Sequence, residues 1–454
     1  MDSKSGLSSI FTEKLFYRAV VGLIISLPII EIFTEIACKF DENIIPLFFV
    51  PLVLAIFGVI STIFILFYWV KVLQSRRRFR YSDIFYFTLV FFMVVSAVFS
   101  QNPGTFAAGY ILYSENPPIF LAYYALFLAG TLIDNEKYRI RIMLSFVFVA
   151  ILEGVFGFLQ TFDIEFSYCL FYHASRAAYG LTQNSNFYGG MCVLFVACVS
   201  GLFIFADYFF NSKLIEYALL FAAAFLYYTM LGSRARLAWV GFGALVVFYM
   251  ISLIIMYRKD RSALKPAVRR SLILLGAFFV VTCIVFFFTD YIREAAVRSY
   301  WEVANQNVDK MGSDRIYNWR KGLENVPKHW LTGVGLDNYR YVFVSDPGFK
   351  EGMYVQDKGH NEYIHILVTQ GIPALINYLA LLIYAGVGAV KNILKETSKK
   401  KRAICWILLG MFVTYCLQAL FNSSIPYVVI HFWLVIGLIA PRNVISRNKN
   451  QLKT

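Results

Sequence analysis

Charge is scarce in this chain. Only 15% of its 454 residues are Asp, Glu, Lys or Arg, against roughly 25% in a soluble globular domain. Hydrophobic residues make up 59% and the mean hydropathy is +0.61. This imbalance excludes a soluble enzyme and a disordered tail protein. Cysteine is sparse and odd in number, at 7, and none is spaced as CxxC. Cys192, Cys198, Cys283, Cys405 and Cys416 sit in apolar runs and read as small buried hydrophobes, which excludes a disulfide scaffold and a cysteine metal site. Cys38 and Cys169 lie nearer the expected outer ends, where pairing stays open. The acids never gather into a DxD-type cluster, and there is no P-loop, GxSxG elbow or HExxH. ATP-driven transport and metal-assisted transfer therefore both lack their residues, and no metal ligand set is expected.

What the chain has is aromatic and aliphatic length. Aromatics reach 18%, with Phe 45 and Tyr 30, which suits lipid contact and interfacial rings. A spanning helix needs about 20 apolar residues, and twelve runs approach that length: about 17–37, 44–68, 84–99, 118–133, 143–162, 187–206, 214–231, 237–256, 272–289, 372–390, 403–421 and 425–440. Pro118, Pro373 and Pro426 stand at run starts, where a missing N–H does no harm. Pro28 and Pro51 stand inside runs and predict kinks. Nothing ahead of the first run resembles a cleavage site, so it reads as an uncleaved span. The expected class is an all-α polytopic membrane protein of about twelve helices.

The basic excess, 42 Lys and Arg against 28 acids for a net +14, reads as a topology signal, not as a nucleic-acid footprint. Lys71 with Arg76, Arg77, Arg78 and Arg80 follows the second run, and Lys137, Arg139 and Arg141 follow the fourth. Arg258 through Arg270 follow the eighth, Lys391 through Arg402 the tenth, and the tail adds Arg442, Arg447, Lys449 and Lys453. All fall on one side if both termini are cytoplasmic. The organisation that follows is a bundle of nine helices over 1–290, a large extracytoplasmic loop domain with helical parts over 291–360, three more helices over 361–441 and a cytoplasmic tail over 442–454. Within the loop, Ile316, Trp319, Leu323 and Val326 recur at three- and four-residue steps until Pro327, the stripe of an amphipathic helix on the outer membrane surface.

Four arginines break the charge pattern by falling on the outer side: Arg176, Arg234, Arg236 and Arg315. A guanidinium presents a planar fork of donors matched to phosphate oxygens. Snorkelling to headgroups explains one such residue; four together point to a bound anion. Of the five histidines, His431 reads as packed inside the last run, and His173 and His329 have no partner motif. His360, in GHNEYIHILVTQG with His365, stands where the polar segment returns to the membrane. A helix beginning near Asn361 would set its imidazole at a positive dipole end, which disfavours the imidazolium; a neutral imidazole can act as general base. Among acids, Glu31, Glu35, Glu153 and Glu216 occur singly. Glu153 is the deepest and reads as a structural hydrogen-bond acceptor. GVG at 333–335 reads as a turn.

Several segments in order resemble the O-antigen ligase/polymerase family of bacterial membrane glycosyltransferases: RAAYGLTQNSNFYGG, GSRARLAWVG, SDRIYNWRKGLENVPKHWLTGVGLDNYR and HNEYIHILVTQGIPAL, over roughly 176–373. The resemblance implies a bundle of about twelve spans in the bacterial cytoplasmic (inner) membrane, with a large loop covering an outward-facing site. It implies transfer of a saccharide from an undecaprenyl-pyrophosphate carrier to the hydroxyl of an acceptor glycan or glycolipid, as ligase or as repeat-unit polymerase, without cofactor or metal. It carries the catalytic histidine onto His360, with Asn361 in support, and pyrophosphate binding onto Arg176, Arg234 or Arg236, and Arg315. Base catalysis at the anomeric carbon would invert configuration. The competing reading, a transporter or flippase of lipid-linked saccharides, calls for internal pseudo-symmetry and midplane charge; neither is evident in the sequence.

Overall fold

A computed structural model describes residues 13–38, 40, 47, 49–74, 79–103, 115–164, 176–259, 261–304, 311–345, 355–423 and 425–443. Among these the regular structure is helical. In chain order the long helices are α1 (Glu13–Ala37), α2 (Phe49–Gln74), α3 (Tyr81–Val98), α4 (Pro117–Leu132), α5 (Glu136–Gln160), α6 (Ser185–Ile204), α7 (Lys213–Gly232), α8 (Arg236–Lys259), α9 (Arg261–Phe288), α10 (Tyr291–Ala304), α11 (Met311–Asn325), α12 (Glu362–Lys395), α13 (Lys399–Gln418) and α14 (Pro426–Ile439). Nine are long and apolar enough to cross a membrane: α1, α2, α3, α5, α6, α7, α8, α9 and α12. Two more apolar helices, α4 and α14, are shorter, and α13 opens on Lys399, Lys400, Lys401 and Arg402. Each of the twelve predicted runs falls on a helix, but the number that qualify by length and hydropathy is nine.

The bundle closes around α6, which is buried from Phe187 to Ile204, and around α14, buried along its whole length against α4. The helices on the rim do the opposite. Phe67 and Phe91 on α2 and α3 and Phe279 on α9 are exposed, the pattern of side chains that meet lipid. Buried acids inside the bundle all have donors. Glu153 accepts from the Leu181 N–H at 3.0 Å and from the Tyr427 hydroxyl at 2.5 Å, which is the structural role expected of it. His431 is packed between Phe146 and Phe195.

One proline behaves differently from expectation. Pro51 occupies the first turn of α2, where no kink is required, whereas Pro373 stands, as expected, in the first turn of the helical segment that restarts within α12. Ahead of Pro373, α12 breaks at Gly371, whose φ of +87° only glycine adopts without strain. The break frees carbonyls, and the segment 330–335 takes them: Val334 N–H donates to Val368 O at 2.9 Å, Gly335 N–H to Thr369 O at 3.0 Å, and Ile372 N–H returns to Trp330 O at 2.7 Å. GVG is thus more than a turn. A Cβ at Gly333 would stand 2.2 Å from the Thr369 carbonyl carbon, so the close approach needs glycine there. A small second core of Val334, Tyr339, Val342, Phe343 and Val368 seals this junction. In this way the polar segment between α9 and α12 is stitched to the broken helix.

Candidate functional site

His360 is set by the start of α12. Asn361 caps the helix, its side chain accepting from the Ile364 N–H at 3.0 Å, and His360 precedes it in the left-handed conformation, φ +47°. Such a backbone in a non-glycine residue is uncommon and persists where the surroundings fix it. Here α11 does so from above. The Asn318 amide donates to Lys358 O at 2.9 Å and the Trp319 indole N–H donates to Gly359 O at 2.8 Å, while the Gly359 N–H donates to His365 Nδ1 at 3.3 Å. The Tyr339 hydroxyl in turn donates to Asn318 O at 2.9 Å, and its ring stacks on His365 with centroids 5.5 Å apart. The face of α11 that packs inward is that of Asn318 and Gly322; Leu323, from the apolar stripe read in the sequence, is exposed. The inward face is polar because it meets the backbone carbonyls of Lys358 and Gly359.

The His360 ring is half paired. Nε2 meets Gln356 Oε1 at 3.1 Å, an oxygen that can only accept, so the ring proton is assigned to Nε2; Nδ1 is sequestered and, among the described residues, has no hydrogen-bond partner. Burial pushes the imidazole pKa down to about 3, with the positive charges of Arg315 and Lys358 adding to the fall. The sequence anticipates a neutral ring from the helix dipole; in the structure burial, with two cations, pushes the imidazole in that direction. Nδ1 is left as an unshared lone pair within the field of Arg315.

Beneath this loop lies a buried ion cluster that sequence reading missed. Lys358 is 0% exposed. Its ammonium pairs with a Glu115 carboxylate oxygen and with Asp337 Oδ1 at 3.3 Å. Glu115 also accepts from the Tyr123 hydroxyl at 2.8 Å, and its own N–H donates to Asp337 Oδ2 at 3.2 Å. Burial raises the Glu115 carboxyl and opposes the Lys358 charge. The two facing acids nonetheless hold the ammonium above its ordinary range, and we take it as the group that stays charged. Lys358 and Asp337 both sit inside the motif-like segments, DKGHNEY and GLDNYR; a lysine placed directly before GHN was the available signal. Two residues past His360, Glu362 accepts from Tyr378 at 2.7 Å and Tyr415 at 3.1 Å.

Of the remaining arginines, Arg234 and Arg236 bond to α10 and Arg176 bonds to Asp163. Arg234, at φ +56° in the short turn between α7 and α8, pairs with Glu294 Oε2 at 2.6 Å and lies over the Tyr291 ring at 4.7 Å. Arg236 donates to Ser299 Oγ at 3.0 Å, one helical face further along. Arg176 is bonded to Asp163 through its backbone N–H at 2.8 Å and through Nε at 3.2 Å. Burial holds the Tyr291 hydroxyl above its ordinary range while Arg234 and Arg176 both pull it down, so these two guanidiniums share one neighbourhood. Arg315 belongs to the His360 side. The two groups are connected through α10, which packs on α11. His173 and Cys169 lie outside the described residues. Among the described residues no group of three or more His, Cys, Asp or Glu could hold a metal ion.

This geometry falls in a stretch with a known relative. Residues 218–379 match the family model described as O-antigen ligase. The match covers 162 of the 454 residues, and over that segment the chain is similar to the O-antigen ligase family. No curated protein matches the chain. The O-antigen ligase segment takes in Arg234, Arg236, Arg315, Asp337, Lys358, His360 and Asn361; Arg176 and Glu115 lie before it.

Proposed function

We propose that this chain transfers a saccharide from an undecaprenyl-pyrophosphate carrier to an acceptor hydroxyl, at the outer face of the bacterial cytoplasmic membrane. In this reading the acceptor oxygen attacks the anomeric carbon while His360 Nδ1 takes its proton. The bond from that carbon to the pyrophosphate oxygen breaks, and configuration inverts. Negative charge grows on the departing lipid pyrophosphate, and Arg315, with Arg176 and the pair Arg234 and Arg236 beside α10, stabilises it as a set of donors. The chemistry asks for no metal and no nucleotide sugar.

The observation that carries the reading is the buried, unpaired Nδ1 of His360 beside Arg315. A base with a pKa near 3 is weak, and the same physics supplies the remedy. Burial is the larger cause of the low value and remains, but an anionic pyrophosphate bound at Arg315 offsets one of the two charges that add to it, so donor binding raises the basicity above its resting value. Ligase and repeat-unit polymerase share this donor chemistry and differ only in the acceptor.

The test is reconstitution of the purified protein with a synthetic undecaprenyl-pyrophosphate saccharide and an acceptor glycan, with identification of the product linkage. A new glycosidic bond of inverted configuration is expected. Movement of the donor across vesicles with no new bond would contradict the proposal and favour a flippase.

A further inference from the structure

Away from these residues, a second hollow opens where the ends of α7 and α9 approach the 3-10 turn Ala206–Tyr208. It has an empty volume of about 1280 Å³ and is lined by Asp207, Lys213, Glu216, Lys265, Arg269 and Arg270. Its charges do not cancel. Arg270, buried, donates to Asp207 at 2.5 and 2.7 Å and to Glu216 Oε2 at 3.1 Å. Lys213 pairs with Glu216 Oε1 at 2.9 Å. Both acids are thereby engaged by two of the four cations. Lys265 and Arg269 remain; both are exposed, and among the described residues neither makes an ion pair or hydrogen bond. Four residues apart, they project from one face of α9.

Two further observations define what fits. The helix α7 begins here, and its N-cap Ser212 makes no side-chain cap, so the first-turn N–H groups and the positive end of the helix dipole are available to an anion. The wall below is apolar. Tyr217, Leu220 and Ile273 line it, on helices whose neighbouring side chains Leu214, Phe221 and Leu272 are exposed. The occupant must therefore carry both an anionic headgroup and a hydrocarbon chain.

We propose that this hollow binds the headgroup of an anionic glycerophospholipid. Its phosphate lies between Lys265, Arg269 and the start of α7, and one acyl chain runs along Tyr217, Leu220 and Ile273. Basic hollows between spanning helices hold such headgroups by charge and by chain burial together. The inference is independent of the transferase reading, because no residue of the His360 region lines this hollow.

The experiment is native mass spectrometry of the full chain in mixed micelles containing phosphatidylglycerol or phosphatidylcholine, on the wild type, on Lys265→Ala/Arg269→Ala and on Lys391→Ala/Lys395→Ala. The last pair is an exposed basic pair on α12, remote in sequence. The wild type should retain one phosphatidylglycerol at least about tenfold over phosphatidylcholine. The first double variant should lose that preference, and the second should keep it. Equal retention of the two lipids by the wild type would overturn the proposal. So would an equal loss in both variants, which would mean unspecific surface charge, or saturation by inorganic phosphate without lipid, which would mean a free anion site.

Discussion

Replacing Lys358 by Met tests whether the buried ion cluster holds the histidine loop. The side chains of Lys358, Glu115 and Asp337 are only 1%, 4% and 1% exposed, so no water is at hand to replace a lost partner. Met keeps the length and removes the charge. Two carboxylates that share one ammonium are then left facing each other in a site of low polarity. Breaking a buried ion cluster on one side costs about 3–5 kcal/mol. In a chain of this size that corresponds to a fall of about 3–5 °C in the unfolding midpoint. The structure also predicts an order. Glu115→Gln and Asp337→Asn each leave Lys358 with one acid, so each should cost less than Lys358→Met. The triple variant Lys358→Met/Glu115→Gln/Asp337→Asn removes all three charges and should recover most of the loss, since a neutral isosteric core can equal a buried ion pair. The assay is thermal unfolding of the purified protein in detergent, followed by helix circular dichroism. A Lys358→Met midpoint within about 1 °C of the wild type, or a triple variant worse than the single one, would refute the reasoning.

Three other outcomes follow from the same geometry. The kcat/KM of transfer, which reports the free enzyme, should show no loss between pH 8 and pH 5, because the neutral His360 of the free enzyme persists until pH approaches its pKa of about 3; a fall in kcat/KM with an apparent pKa near 6.5 would contradict the buried imidazole. Stability carries the matching sign: the unfolded histidine binds a proton below its ordinary pKa and the folded one does not, so acidification from about 6.5 toward 3 should destabilise the wild type more than His360→Gln. Arg234→Ala strands Glu294 and removes one pyrophosphate donor, so KM for the lipid donor should rise by about tenfold or more while KM for acceptor stays level; an equal rise in both would remove the clamp. Gly333→Ala places a methyl 2.2 Å from the Thr369 carbonyl carbon at a φ of +70° and should lower stability by more than about 2 kcal/mol, read in the same unfolding assay.

The helices were legible because lipid-facing and buried positions alike are apolar, so the runs stand out against charged loops. Their ends were not. The helix at 136–160 begins seven residues before the run at 143, because its first turns carry Lys137, Arg139 and Arg141; hydropathy marks the membrane core, while the helix continues past it. The early start of α12 was foreseen at His360, where Asn361 is a recognisable cap, yet its apolar run was read only from 372, beyond the break at Gly371. The outer arginines were visible as exceptions to the charge pattern. Lys358 was not, because one lysine beside Asp357 reads as solvated surface, and its partners Glu115 and Asp337 stand 243 and 21 residues away. Pairings at that separation come from the fold, not from spacing.

The account rests on His360 performing a step that donor binding does not share. The direct measurement is a pair of values on His360→Ala: the Kd for a labelled undecaprenyl-pyrophosphate saccharide and the single-turnover rate of its transfer. An unchanged Kd with transfer slowed by about 10²–10⁴-fold is predicted for a missing general base. Wild-type transfer by this variant, or loss of donor binding in step with transfer, would contradict it.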